Sequence, residues 1–465
     1  MKKNSNLILK DGAKIAVLGG GPAGSFFSIF ALKLAKKIGQ DIDLTIYEHK
    51  NFSNEGPISC NMCAGVISES LVQLLAIEGV LLKTPIVQRA IDSYCFQTIC
   101  GSVLIRSPSK QRGIVTVYRG GGPIKSSTSE GKEGPDPGKT SFDNFLLECA
   151  KKEGAKVEYK KIYNIELDNE KIGIFSKEGR LLDADLVVGA FGVNTRTTKL
   201  FEELEIGYTC PSVIKAYQSE INIEKSYVST HFGNGIHIFL INQPDVKFAA
   251  ITPKGSYVTI SMLGKDISRQ SIIDFLNHPL VKERFPNAWE VPNTFCRCSP
   301  KINVMGAKKP FADRIVIIGD ASAARLYKDG IVSAYMTAKA AANTAILYGI
   351  GETDFHDYYY PVCRRINRDN ALGSFLFTVN DTINKIPILQ EAILNVVRNE
   401  QNNPKLGYKC STILWDMFTG NESYTDIFWR AFNLKLLLRI IGSVFHVVML
   451  NIFHLFQLKK IWGKQ

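Results

Sequence analysis

The chain has 465 residues, 45% of them hydrophobic and 22% charged, a globular balance at about three times the usual single-domain length; two or three units are expected, and disorder, fibrous folds and small disulfide-stapled folds are excluded. Ten cysteines without framework spacing point to a reducing compartment, hence the cytoplasmic side. A formal charge of +12 would suit nucleic acid or an anionic membrane, but no aromatic-interleaved basic block supports nucleic acid, so no nucleic-acid partner is expected.

Lys2 and Lys3 precede apolar residues, yet Lys10, Asp11 and Lys14 interrupt the run, so the amino terminus reads as the approach to a strand rather than as a targeting signal. The strand is Lys14 to Leu18. Gly19-Gly20-Gly21-Pro22-Ala23-Gly24 follows, then a helical stretch from Ser25 to Ile38 and a second strand, Leu44 to Glu48. Gly19 permits a tight turn, Gly21 lets backbone approach a pyrophosphate, and Gly24 lets helix and strand pack closely. The helix amino terminus offers open N–H groups to phosphates, and Glu48 suits ribose hydroxyls. This strand, turn and helix arrangement is a dinucleotide site.

Cys60 and Cys63 form a C-x-x-C pair, for which zinc ligation, a redox disulfide and a thiol lining a pocket compete. Zinc needs two further ligands, and Cys296-Arg297-Cys298 is too tightly spaced for the usual knuckle, so no metal is expected. Residues 120–139 are a Gly/Pro/Ser-rich loop, long enough to be a lid or a disordered insert. Alternating patterns from Ile214 to Leu263 predict an antiparallel sheet. Arg314 to Ile318 is another apolar strand, followed by Gly319-Asp320-Ala321-Ser322-Ala323, then Lys328-Asp329-Gly330-Ile331 and an alanine-rich helix, Ala334 to Ala345. Beyond residue 350 the pattern is helical.

Near the carboxyl end, a helical projection places Lys435, Arg439, Ser443, His446, Asn451, His454 and Gln457 opposite Leu438, Ile441, Phe445, Val448, Met449, Ile452 and Phe456. Three readings stay open: an interfacial helix at a membrane surface, a helix packed on the body or on a second copy, and a transmembrane span.

The segments 19–24 and 319–331 resemble the paired FAD fingerprints of the para-hydroxybenzoate-hydroxylase-like flavoproteins. That resemblance implies FAD, held by Gly19, Gly21, Pro22, Ala23, Gly24 and Glu48 at the adenosine end, by Gly319 and Asp320 at the ribityl chain, and by Gly330 and Ile331 where a helix points at the flavin. Arg119 resembles an arginine near the flavin, with a solvated loop arginine as the alternative. In the segment Ala184 to Gly192, Phe191 stands where the hydroxylases have aspartate, a departure from an NADPH-using monooxygenase.

Cys60-Asn61-Met62-Cys63-Ala64-Gly65-Val66-Ile67-Ser68 and the turn Thr252-Pro253-Lys254-Gly255 resemble the geranylgeranyl reductase branch. The branch implies reduction of carbon–carbon double bonds in an isoprenoid or related lipid, with Cys63 before Cys60 as the catalytic thiol and an external electron donor that no motif names. Its rivals are a membrane-associated flavoprotein passing electrons to a quinone and a flavin monooxygenase.

The expected architecture is α/β: a Rossmann-like, GR2-type FAD-binding domain (βαβ with a parallel sheet; 12–60, 140–205 and 300–350) with an inserted antiparallel substrate domain (61–139 and 206–299). A helical region (351–433) and an amphipathic, membrane-associating helix (434–465) follow. The expected location is the cytoplasmic face of a membrane, peripherally attached.

Overall fold

The computed structural model describes residues 7–54, 63–84, 86–108, 113–120, 141–168, 170–193, 196–265, 267–287, 289–291, 296–407 and 409–462. The chain divides into two compact units, one made of residues 1–88, 115–220 and 296–370, the other of 89–114, 221–295 and 371–465.

In the first unit, Ala13–Leu18 is buried at all but one position, the signature of a strand covered on both faces of a parallel sheet. It lies at the centre of a six-stranded sheet. On one side it pairs with Ile42–Tyr47 and then Lys156–Glu158, on the other with Leu186–Gly189 and then Ile315–Ile317, all parallel. Phe311–Ala312 closes one edge antiparallel. The helix Pro22–Ile38 has proline in its first turn, and Gly39, at φ +73°, ends it by donating to Ala35 and Lys36 carbonyls. It buries Phe26, Phe27, Ile29 and Phe30, and both Phe26 and Phe30 set their rings edge-on to Tyr335 of the helix Gly330–Leu347.

In the second unit, Tyr257–Gly264, Val246–Pro253, Gly235–Leu240, Ser93–Thr98 and Gly101–Arg106 pair in that order. One pair departs from the antiparallel expectation: Gly235–Leu240 runs parallel to Ser93–Thr98, because a long stretch of chain separates them instead of a hairpin. The Pro253 turn is a hairpin, closed by Lys254 N–H donating to Tyr257 O at 3.0 Å. Among the described residues, a carboxyl-terminal run of α-helices joins this unit, beginning with the part of Tyr360–Lys385 from Ala371 onward: Pro387–Asn402, Lys409–Thr419, Tyr424–Ala431 and Leu434–Trp462 follow. Buried Trp415 meets Tyr94 edge-on at 5.1 Å.

The domain boundaries therefore differ from the expected ones. Residues 63–88, 115–120 and 206–220 belong to the nucleotide-type unit, since Val66–Ile67 pairs with Ile114–Val117 and Ser212–Asn222 pairs with Lys301–Met305. The carboxyl-terminal helices belong to the unit of the second sheet rather than standing apart.

Candidate active site

The parallel register brings Leu18, Tyr47, Gly189 and Ile317 to the carboxyl edge of the sheet, where ligands of open α/β sheets bind. The turn after Leu18 can be made only by glycine. Gly19 sits at φ +115°, and a Cβ there would lie 2.4 Å from Ala190 O; a Cβ on Gly24 would lie 1.9 Å from Gly19 O. Gly21 is the helix cap and carries no side chain to satisfy the first turn, so the N–H groups there stay open.

Glu48, which is buried, accepts from Gly20 N at 2.8 Å and from His49 N and Lys50 N at 2.8 Å each. Burial alone would raise its carboxyl, but the donors from His49, Lys50 and Gly20 outweigh it and hold the group below its ordinary value. Glu48 is thus an ionised acceptor fixed beside the glycine turn.

The second turn faces the first from across the sheet edge. Gly319 has φ +65°, and a Cβ on it would lie 2.7 Å from Ala23 Cβ, so the two turns meet there. Asp320 is half-buried, and a Cβ on Gly330 would lie 3.2 Å from its Oδ1. Burial pushes the Asp320 carboxyl up, against the pull of the Arg119 charge. Asp329, at φ +59°, caps the helix Gly330–Leu347; burial pushes it up to about 7, against Arg325, Lys328 and a hydrogen bond from Ser68.

Sequence patterns did not single out the residues that hold this turn. Thr337 Oγ1 accepts from Gly319 N at 2.9 Å, Asn303 donates to Asp320 O at 3.0 Å, and Tyr208 donates to Ala321 O at 2.8 Å. Tyr359 donates to Ile317 O and lies 2.9 Å from Ser322 Oγ, while Asn370 bonds Leu326 N and Ala324 O. Lone polar residues on a helix, a strand or a connection carry no periodic signal; only their burial marks them.

Arg119 is not a solvated loop arginine. It is buried and grips Asp143, at the start of the helix Phe142–Glu153, through Nε–Oδ1 at 2.5 Å and Nη2–Oδ2 at 3.1 Å. Cys63 precedes Val66–Ile67, which pairs antiparallel with the strand leading to Arg119; Val117 N donates to Gly65 O at 2.7 Å. Its Sγ accepts from Gly65 N at 3.4 Å. The expectation for Cys60 and nearly all of the loop 120–139 lies outside the described residues. Among the described residues, no three His, Cys, Asp or Glu gather as a metal site. Phe191 turns inward against Phe201, ring centres 4.7 Å apart, filling the sheet end with aromatic surface instead of a carboxylate. Pro253 and Lys254 belong to the second unit.

Two glycine turns closed by backbone, with an ionised acceptor beside the first and a half-buried carboxyl in the second, suit an extended dinucleotide.

No family model matches the chain, and no curated protein matches it. Solved structures do. A geranylgeranyl bacteriochlorophyll reductase-like protein from Thermoplasma acidophilum is similar at a TM-score of 0.61 and 14% identity, over 91% of this chain and 99% of that one. The flavin-dependent brominase Bmp2 is similar at 0.53 and 15%, over 88% and 92%. PqsL, a probable FAD-dependent monooxygenase from Pseudomonas aeruginosa, is similar at 0.53 and 14%, over 78% and 95%. The chain has their fold. The α/β architecture expected from the two glycine turns, a Rossmann-like core with a separate, largely antiparallel sheet and carboxyl-terminal helices, is the one observed.

Proposed function

We propose that the protein is an FAD-dependent reductase of carbon–carbon double bonds in an isoprenoid or related lipid. The observation that carries the reading is the sheet edge itself, where two glycine turns meet, Glu48 beside the first and Asp320 in the second, and the strand that follows Cys63 pairs onto the strand leading to Arg119. The reductase-like neighbour, matched over almost its whole length, supports the branch, as does Phe191 in place of the hydroxylases' aspartate.

Glu48 accepts from the ribose hydroxyls, the open N–H groups of the helix Pro22–Ile38 meet the pyrophosphate, and Asp320 holds the ribityl chain. Asp143 fixes the guanidinium of Arg119 so that its charge stands close to Asp320. When bound and reduced by an external donor, FAD supplies a hydride to one carbon of the double bond. The Cys63 thiol gives a proton to the other carbon, and is reprotonated from solvent.

The test is anaerobic. Protein loaded with FAD and reduced with dithionite is mixed with an isoprenoid lipid extract, and re-oxidation of the flavin should yield products about two mass units heavier per double bond. Cys63→Ala should retain its flavin and lose most of this turnover, with Cys60→Ala milder. Re-oxidation that yields only quinol would replace the reading with electron transfer to a quinone, and hydroxylated product formed on admitting oxygen would replace it with a monooxygenase. Protein that takes up no FAD would end all three.

A further inference from the structure

The helix Leu434–Trp462 is amphipathic, but the structure turns it the opposite way from an ordinary surface helix. Its more polar side is tied to the second unit. Ser443 Oγ donates to Ala392 O of the helix Pro387–Asn402 at 2.9 Å, and Arg439 lies 3.8 Å from Glu400, itself enclosed and accepting from Cys410 N, Ser411 N and Ser411 Oγ. Leu436 and Val447, one turn before Arg439 and one turn after Ser443, are 2% and 1% exposed. On a helical projection of about 100° per residue, these positions centre about 180° from an arc of Leu434, Leu438, Ile441, Phe445, Met449 and Ile452. Those six are 41–69% exposed. From Leu434 to Ile452 the apolar stripe, with no polar group on it, thus faces outward.

Charge says what covers it. No Asp or Glu occurs after Asp426; Arg430 and Arg439 pair with Asp416 and Glu400, and Lys435, Lys459, Lys460 and Lys464 add four further positive charges. Trp429, 69% exposed, and Phe432, 52% exposed, add aromatic surface just before the helix. A second copy of the helix would bring like charges together without a balancing acidic flank, the reverse of what a helix pair selects. An anionic lipid surface accepts both the stripe and the basic flanks.

We infer that the outer face of this helix is a docking surface for an anionic phospholipid bilayer, on which the helix lies flat with its inner side still held by the second unit. Spanning the bilayer would strip Arg439 and Ser443 from Glu400 and Ala392 and leave them facing hydrocarbon. The inference does not rest on the reductase reading, because it is tested without substrate.

The experiment is vesicle flotation of the full-length protein, with vesicles of phosphatidylcholine alone or mixed with phosphatidylserine. Binding should require phosphatidylserine, fall as salt rises, and be released by alkaline carbonate. The double variant Ile441→Glu, Phe445→Glu alters only exposed positions; it should bind at least tenfold more weakly with an unchanged melting temperature and unchanged size in solution. Lys459→Glu with Lys460→Glu should weaken binding and reduce its salt dependence. Full binding by the Ile441/Phe445 variant would overturn the inference. So would carbonate-resistant retention, which marks a span, and so would a vesicle-free dimer that this variant converts to monomer, which marks a second copy as the occupant.

Discussion

Glu48 and Asp329 are carboxyls flanking the two glycine turns of one sheet edge, yet their surroundings move them in opposite directions. Glu48 is buried among three backbone N–H donors and is held ionised. Asp329 is buried beside Arg325, whose Nη1 stands 3.7 Å from Oδ2, and burial wins. The lesson is that enclosure alone does not decide a carboxyl's charge; the number of donors aimed at it does. The amino-terminal turn is complete before any ligand arrives, whereas the second turn holds a carboxyl that costs free energy when ionised.

Substitutions at four positions would break or sharpen that contrast. The largest effect is expected at the completed turn: Gly24→Ala puts a methyl 1.9 Å from the Gly19 carbonyl oxygen, so strand and helix cannot keep their contact. A loss of about 4 kcal/mol or more in urea unfolding, with no flavin retained, is the expected outcome. Normal stability with bound flavin would mean that the turn relaxes easily.

Next is the ion pair behind the second turn. Asp143→Ala leaves buried Arg119 without its two carboxylate bonds and should cost about 3–5 kcal/mol. Asp143→Asn, keeping one acceptor, should lose less. Equal losses would show that the carboxylate charge, rather than side-chain packing or the one remaining acceptor, carries the whole effect.

The third prediction concerns pH. Because the folded-state value of Asp329 is raised from 3.8 to about 7, the native protein holds this proton where the unfolded chain has released it, and stability falls as pH rises across that window. Asp329→Asn keeps a side chain that tolerates φ +59° and removes the ionisation. Relative to the parent, the ligand-free variant should gain about 2–4 kcal/mol on going from pH 4 to pH 8. Melting curves at the two pH values read this directly, and parallel curves would place the carboxyl in a better-solvated setting. Glu48 works in the other sense: its lowered value contributes stability above the ordinary carboxylate range that is lost as pH falls.

The smallest effect is at the ribose end. Glu48→Gln retains an acceptor for the Gly20 amide but removes the charge, and FAD affinity should drop by about 1–3 kcal/mol, measured by flavin fluorescence titration. An unchanged affinity would move the ribose contact to another residue.

Much of the nucleotide edge is legible in the sequence because its signals are local. Strand, glycine turn, helix and acidic residue follow one another, and the structure differs mainly in starting the helix at Pro22 rather than Ser25. The supports were not legible. Asp143 lies 24 residues beyond Arg119, across the loop 120–139, and Tyr208, Asn303 and the pair Tyr359 and Asn370 reach the second turn from three separate stretches of chain. The terminal helix shows the same limit in another form. Its two faces are written in its own residues, but which face points inward depends on Glu400 and the Ala392 carbonyl, on another helix.

The strand order also bears on how the chain is made. Leu186–Gly189 lies inside the finished sheet, between Ala13–Leu18 and Ile315–Ile317. About 125 residues separate its end from its second neighbour, roughly 6–25 s of synthesis at usual ribosome speeds. Throughout that interval a four-residue, wholly buried strand waits with one edge unpaired while much of the other unit emerges. Expression at lower temperature or with a chaperone should therefore raise the soluble yield of this protein more than that of a fold whose central strands follow one another.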